Sequence, residues 1–200
     1  MALVVDYVLA PNSPWTYLGH DRFVALARAH GAAVRVRPVN LAQVFPVSGG
    51  LPLAQRAPQR QAYRLVELRR WADHLGLPLN TQPAHFPVPP DEAARLITAV
   101  DLHDGSDAAL ALAGAVLRAC WAEERDIAST ETLAGLVAAV GLPSQRLADA
   151  TAAPVQARYD ENTRYTIDAG VFGAPSYVVD GEIFWGQDRL DFLQRRLARG

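Results

Sequence analysis

Apolar and polar positions along this chain change period twice. Residues 3–10, "LVVDYVLA", are apolar on both faces except at Asp6, the pattern of a strand covered on two sides. From Ser13 to about His30 the period lengthens to that of a helix, with Phe23, Val24, Leu26 and Ala27 inward and Gly31 as the stop. "AAVRVRPV" then alternates Val34 and Val36 against Arg35 and Arg37, a half-exposed strand. A strand, helix and strand of this length form a βαβ unit, so the two strands are expected to run parallel.

From about residue 55 to 169 every periodic stretch is helical. "APQRQAYRLVELRRWADHLG" puts Ala62, Val66, Leu68, Ala72 and Leu75 on one stripe and stops at Gly76 and Pro78. "DEAARLITAV" is a shorter helix, and "SDAALALAGAVLRACWAEE" is apolar enough to be buried on most sides. "STETLAGLVAAVG" opens on a Ser/Thr cap; two more helices follow, one capped by Ser144 and one opened by Pro154, ending near Gly170. The last thirty residues return to β character. "PSYVVDGEIFWG" reads as two strands around the Asp180-Gly181 turn, and "QDRLDFLQRRLAR" as a closing helix with Leu190, Phe192, Leu193 and Leu197 inward.

Two strands alone are marginal in water, so the two β-bearing ends are expected to share one sheet. The fold class that follows is α/β: a thioredoxin-like four-stranded mixed sheet with a large all-α domain inserted between the βαβ and ββα halves. The expected division is 1–48 and 170–200 for the thioredoxin-like part and 49–169 for the helical insert.

Composition narrows the chemistry. Net charge is -2 and half the residues are apolar, which gives no electrostatic case for nucleic acid or an anionic membrane surface. Arg69-Arg70 and Arg195-Arg196 read as solvated helix faces. No apolar run is long enough to span a membrane, and "MALVVDYV" lacks the basic start of a signal peptide, so a cytoplasmic location is expected. The single cysteine, Cys120, excludes an internal disulfide and reads as a small buried thiol. The five histidines show no paired ligand spacing, so no metal is expected.

Ser13-Pro14-Trp15-Thr16-Tyr17-Leu18 stands at the strand-to-helix junction. A helix mouth offers unpaired N–H groups and partial positive charge, which favour an anion. With no cysteine there, a thiolate at this mouth has to come from a ligand. A thiol of pKa near 8.5 is only a few per cent ionised at neutral pH. A hydroxyl hydrogen bond to a charged group is worth roughly 1.5–3 kcal/mol, enough to lower a bound thiol's pKa by about one to two. The plainer alternative is that Ser13 only caps the helix, with Pro14 as its first residue.

"GVFGAPSYVVDGEIFWGQDRLDFL" resembles the C-terminal motif of the 2-hydroxychromene-2-carboxylate isomerases, and "SPWTYL" lies where thioredoxin-like oxidoreductases carry Cys-x-x-Cys. That family is related to the kappa-class glutathione transferases and, more distantly, to the disulfide oxidoreductase DsbA. "RPVNLAQVF", "LRRWADHLGLPLN" and "HFP" extend the resemblance over nearly the whole chain. It implies glutathione as cofactor, with Ser13 stabilising its thiolate, and a DsbA-like redox role is disfavoured by the missing cysteine pair. It further implies a cis Pro175, with Ala174 pairing with the cysteinyl backbone, against the plainer reading of an ordinary trans proline. Trp185, Gly186, Gln187 and Asp188 are assigned to the glutathione pocket, Asp188 meeting the ammonium group. A role for Asp188 as a helix-dipole partner only stays open.

The implied reaction interconverts 2-hydroxychromene-2-carboxylate and trans-o-hydroxybenzylidenepyruvate in naphthalene breakdown, without consuming glutathione. The implied partners are a small aromatic carboxylate, glutathione and a second copy of the chain. The substrate side departs from the family. Pro46-Val47-Ser48-Gly49-Gly50 replaces a common Lys and Thr-Gly-Asn stretch, and Val88-Pro89-Pro90 replaces a common Asn. Ser48, Gly49, Gly50 and His85 are the candidate substrate contacts, with Arg37, Arg56 or Arg60 as replacement charges; a surface or core role for His85 is as compatible with the sequence. Two other functions stay open: a kappa-like transferase acting on another electrophile, and a non-catalytic thioredoxin-like binding module.

Overall fold

The structure, a computed structural model, describes residues 3–199. β1 (Val4–Leu9), α1 (Pro14–Ala29) and β2 (Ala33–Pro38) form the first unit, followed by α2 (Leu41–Ser48). Then come α3 (Pro58–Leu75), α4 (Asp91–Asp104), α5 (Ser106–Trp121), α6 (Thr130–Ala139), α7 (Gln145–Asp149) and α8 (Ala153–Asp168). β3 (Ser176–Val179), β4 (Glu182–Trp185) and α9 (Leu190–Leu197) close the chain.

The strand order is β2-β1-β3-β4, so the two ends of the chain do share one sheet. β1 runs parallel to β2 and antiparallel to β3, with Tyr7 opposite both Val36 and Tyr177. Tyr7 and Tyr177 stack at 5.5 Å, and Phe23 of α1 packs on both, at 4.4 and 4.6 Å. The main core runs without a break from these sheet residues into Leu96, Ile97, Leu112 and Trp121 of the insert. α5 is buried on most sides as its composition requires, and Cys120 is enclosed with it. β2 is covered by α4, α5 and α8, which leaves β4 as the open edge.

The β3–β4 turn has positive φ at Asp180 and Gly181, the geometry an Asp-Gly pair favours between strands. Asp6, the polar interruption in β1, is bound by Arg37 Nε at 2.6 Å and by the Tyr165 hydroxyl at 3.0 Å. Arg37 also lies 3.8 Å above the Tyr165 ring and donates to Asn162 at 3.1 Å. That strand position is therefore a buried cross-link between the sheet and α8.

Patterning left one helix unmarked, and two of its expectations are corrected. α2 follows β2 directly, started by the Asn40 side chain on the Ala42 N–H; with Pro46 inside it, its sequence does not advertise a helix. On α3 the inward stripe is rotated: Leu68 and Ala72 are buried but Ala62 and Val66 are exposed, because α3 lies at the rim and packs through a narrow face. On α9 Leu190, Leu193 and Leu197 are buried while Phe192 is 53 % exposed, since only an i, i+3, i+7 line of this short helix meets the sheet.

Candidate active site

β1 ends at Leu9, and a turn closed by the Ser13 N–H on the Ala10 carbonyl (3.0 Å) delivers Ser13 to the mouth of α1. Ser13 is extended (φ -88°, ψ 123°), so its side chain folds back and accepts from the Thr16 N–H at 3.2 Å. Pro14 has no N–H, and Tyr17 N–H is already bonded to the Ser13 carbonyl, so the mouth's remaining donor is the Trp15 N–H. No acidic residue in the first turn offsets the helix dipole. Ser13 is thus a cap, and the cap uses only its lone pair. Its proton points across the site, donated to the Ala174 carbonyl at 3.4 Å, a long bond.

Ala174 precedes a cis Pro175. Ser176 Oγ donates to the Gly173 carbonyl at 2.7 Å and pins this bend, and β3 begins only at Ser176, leaving the Ala174 N–H outside the ladder. Pro175 accepts in turn from the Gly186 N–H at 2.9 Å, which brings the second helix-opening turn against the first wall. Gly186 has φ 108°, and a Cβ there would lie 2.5 Å from Asp188 Oδ1. Only glycine fits that corner.

The four predicted pocket residues after β4 divide in their contacts. Gln187 is buried and accepts from Arg22 at both its side-chain oxygen (2.8 Å) and its carbonyl (3.3 Å). Gly19 lets it approach, since a Cβ on Gly19 would lie 2.8 Å from the Gln187 Cβ. Asp188 is exposed and pairs with Arg189 at 2.5 Å. Trp185 is half-exposed and leans on Phe172, its ring edge over Gly173. Phe184 enters the core beneath α1 and Ile183 joins the cluster on the other face, so alternation puts the Trp185 indole on the face away from α1. A groove of about 540 Å³ runs along β4 and α9, and Trp185 is the one residue it shares with these expected contacts.

The predicted substrate contacts are more scattered. Ser48 donates to the carbonyls of its own helix, Val44 at 2.9 Å and Phe45 at 3.5 Å. Gly49, at φ 75°, ends that helix, and Gly50 packs against the Phe45 ring. His85 is exposed, on a loop tied to the Ser13 turn by Asn12 Nδ2 on the Val88 carbonyl at 2.9 Å. Arg37 is committed to Asp6 and Arg60 is exposed. The structure brings Ser13, Ala174, Pro175, Gly186 and Gln187 together; among the described residues no hydrogen bond joins Ser48, Gly49, Gly50 or His85 to them. Patterning missed Arg22 and Arg64, and both stand where a helix turn would otherwise place an apolar residue inward.

Two buried groups bound the chemistry. Burial and the charge of Asp126 push the Cys120 thiol up to about 12, which removes it as a nucleophile at neutral pH. His20 on α1 bonds to the Leu110 carbonyl through Nε2 at 3.0 Å and to the Tyr7 hydroxyl through Nδ1 at 3.1 Å. The carbonyl can only accept, so Nε2 carries the proton and Nδ1 accepts from Tyr7. Burial holds His20 below the usual histidine value, against the opposing pull of Asp21 and of the Leu110 carbonyl.

Comparison with known proteins agrees with this fold. The DSBA-like thioredoxin domain matches residues 4–198. A 2-hydroxychromene-2-carboxylate isomerase of Sphingobium xenophagum is 31 % identical over 98 % of this chain and 99 % of its own. A solved 2-hydroxychromene-2-carboxylate isomerase superposes with a TM-score of 0.83 at 28 % identity, covering 98 % of this chain and 95 % of that one. The cytosolic disulfide reductase DsbM from Pseudomonas aeruginosa, solved with GSH, shares the fold at a TM-score of 0.69 and 19 % identity, over 98 % of this chain and all of that one. The chain belongs to the DSBA-like thioredoxin-domain family and, within it, to the 2-hydroxychromene-2-carboxylate isomerases.

Proposed function

We propose that this chain is a glutathione-dependent isomerase that interconverts 2-hydroxychromene-2-carboxylate and trans-o-hydroxybenzylidenepyruvate. The observation that carries the reading is the Ser13 hydroxyl, whose lone pair caps α1 while its proton is held by a 3.4 Å bond to Ala174. Turning that proton toward a sulfur costs one long hydrogen bond and leaves the cap intact. Glutathione supplies the thiolate that the chain itself lacks, and it is released unchanged.

The residues present fit such a ligand. The Trp15 N–H and the unopposed dipole of α1 favour the negative charge, and Ser13 donates to it. Ala174, with its N–H outside the sheet, offers the extended pairing that a peptide backbone takes beside Pro175. The turn at Gly186, Gln187 and Asp188 holds the far end, with the Asp188 carboxylate exchanging Arg189 for an ammonium group. The reading carries with it a small aromatic carboxylate as substrate, a homodimer, and the reducing cytoplasm as the compartment.

The test is an ultraviolet assay of the purified protein with 2-hydroxychromene-2-carboxylate, with and without glutathione. A glutathione-dependent rate with the glutathione concentration unchanged is expected. No rate above background rejects the substrate, and a rate independent of glutathione rejects the cofactor. The commitment of Ser48, Gly49 and Gly50 to ending α2 favours one second reading, a kappa-like transferase on another electrophile. Stoichiometric loss of glutathione would select it.

A further inference from the structure

Arg64 sits on the inward stripe of α3, one turn ahead of Leu68 and two ahead of Ala72, both of which are buried. Its guanidinium lies 5.3 Å from the centre of the Phe86 ring and 5.6 Å from that of Trp121. Trp121 is fully buried and Phe86 packs on it at 4.8 Å, so Arg64 rests on an aromatic wall. Among the described residues no carboxylate lies within ion-pair distance of it, and the charge that acts on it comes from another cation, Arg56. Burial and that like charge bring Arg64 down to about 10, so it remains protonated at neutral pH. The indole Nε1–H of Trp121 is buried without an acceptor as well. Positive charge gathers here, and among the described residues no carboxylate balances it.

The wall borders the Ser13 mouth. Phe86 belongs to the loop whose Val88 carbonyl is held by Asn12, next to Ser13. The Tyr17 hydroxyl of α1 holds the start of that loop through the Pro78 carbonyl at 2.7 Å, and α1 packs on α3. A guanidinium half out of water and without an anion is costly to maintain, and its planar fork matches a carboxylate. The flat ring beside it offers a surface for a planar substrate. One guanidinium with a single supporting charge suits a monoanion rather than a phosphate.

We propose that Arg64, supported by Arg56, is the carboxylate-recognition group of this site, with Phe86 as the face on which a planar aromatic ring lies. The proposal rests on the isomerase reading for the class of anion. The cation comes from α3, in a chain that carries no lysine.

The test uses calorimetric titration of the full chain with coumarin-3-carboxylate, a stable planar bicyclic carboxylate, and with its uncharged carboxamide. The wild type is expected to bind the carboxylate at least tenfold more tightly than the carboxamide. Arg64→Gln should erase that preference while leaving the carboxamide within about twofold, and the exposed Arg69→Gln should change neither. Arg64→Met, which keeps the stem packed on the rings, is read the same way if Arg64→Gln does not fold. Equal binding of the two probes by the wild type, no binding of either, or a preference that survives loss of the Arg64 charge overturns the proposal. Should the chromene assay fail while Arg64 still governs the preference, the isomerase reading falls and this site stands.

Discussion

The two walls of the site are built differently. The Ser13 wall is made of backbone: a capped helix mouth, a cis bend at Pro175 and a glycine corner at 186, joined by the Ser13–Ala174 and Pro175–Gly186 hydrogen bonds. The neighbouring wall, from α3, the end of α5 and the loop between α3 and α4, is made of side chains, with Arg64 on Phe86 and Trp121, and one side-chain-to-backbone tie through Asn12. A backbone-built wall fixes where a common ligand lies. A side-chain wall can be changed one residue at a time, and here it departs from the family pattern.

The comparison is broken most directly at Ser13. Ser13→Ala removes the donor, worth about 1.5–3 kcal/mol toward a charged acceptor, so kcat/KM in the glutathione-dependent assay should fall about ten- to a hundredfold. It also removes the cap, and the urea midpoint should drop by the equivalent of about 1 kcal/mol. Activity within twofold of wild type would show that the wall acts without its hydroxyl. Next is Gly19→Ala, which drives a methyl against Gln187 and the Tyr177 hydroxyl. Overpacking of about 1–3 kcal/mol should shift the 186–188 turn and raise the KM for glutathione about tenfold, more than it lowers kcat.

Arg22→Met tests the same turn more gently by freeing Gln187, with an expected five- to tenfold rise in the glutathione KM, about 1–1.4 kcal/mol, and kcat nearly unchanged. A larger change in the substrate KM than in the glutathione KM would mean the two walls are not separable. The smallest effect is on stability against pH. His20 titrates in the fold below its free value of 6.5, so the unfolded chain binds more protons as pH drops through that value. Stability should fall below about pH 6.5 and level off once the folded histidine also titrates. Urea midpoints at pH 7.5, 6 and 5 check this, and parallel losses in wild type and His20→Gln would refute it.

The sequence displayed the backbone wall and concealed the other. Helix stops, the Asp180-Gly181 turn and the Ser13-Pro14 helix start are local signals, and local conformation decides what they become; the cis bend at Ala174-Pro175 was legible only through the family resemblance, since its residues alone read as a trans proline. α2 escaped because Asn40 is its only start signal and Pro46 argues against a helix. Arg64 escaped because arginine on a helix reads as its outer face, whereas a guanidinium stacked on rings can occupy an apolar position. Arg22 was hidden for a different reason: its partner Gln187 lies 165 residues away.

The strand order has a consequence for synthesis. β1 sits between β2, which ends at Pro38, and β3, which starts at Ser176, so one side of β1 waits for 137 intervening residues. At about 5–20 residues per second that wait is roughly 7 to 27 s on the ribosome. For all that time Ser13 has no Ala174 opposite it, and the mouth of α1 stays one-sided until β3 has been made.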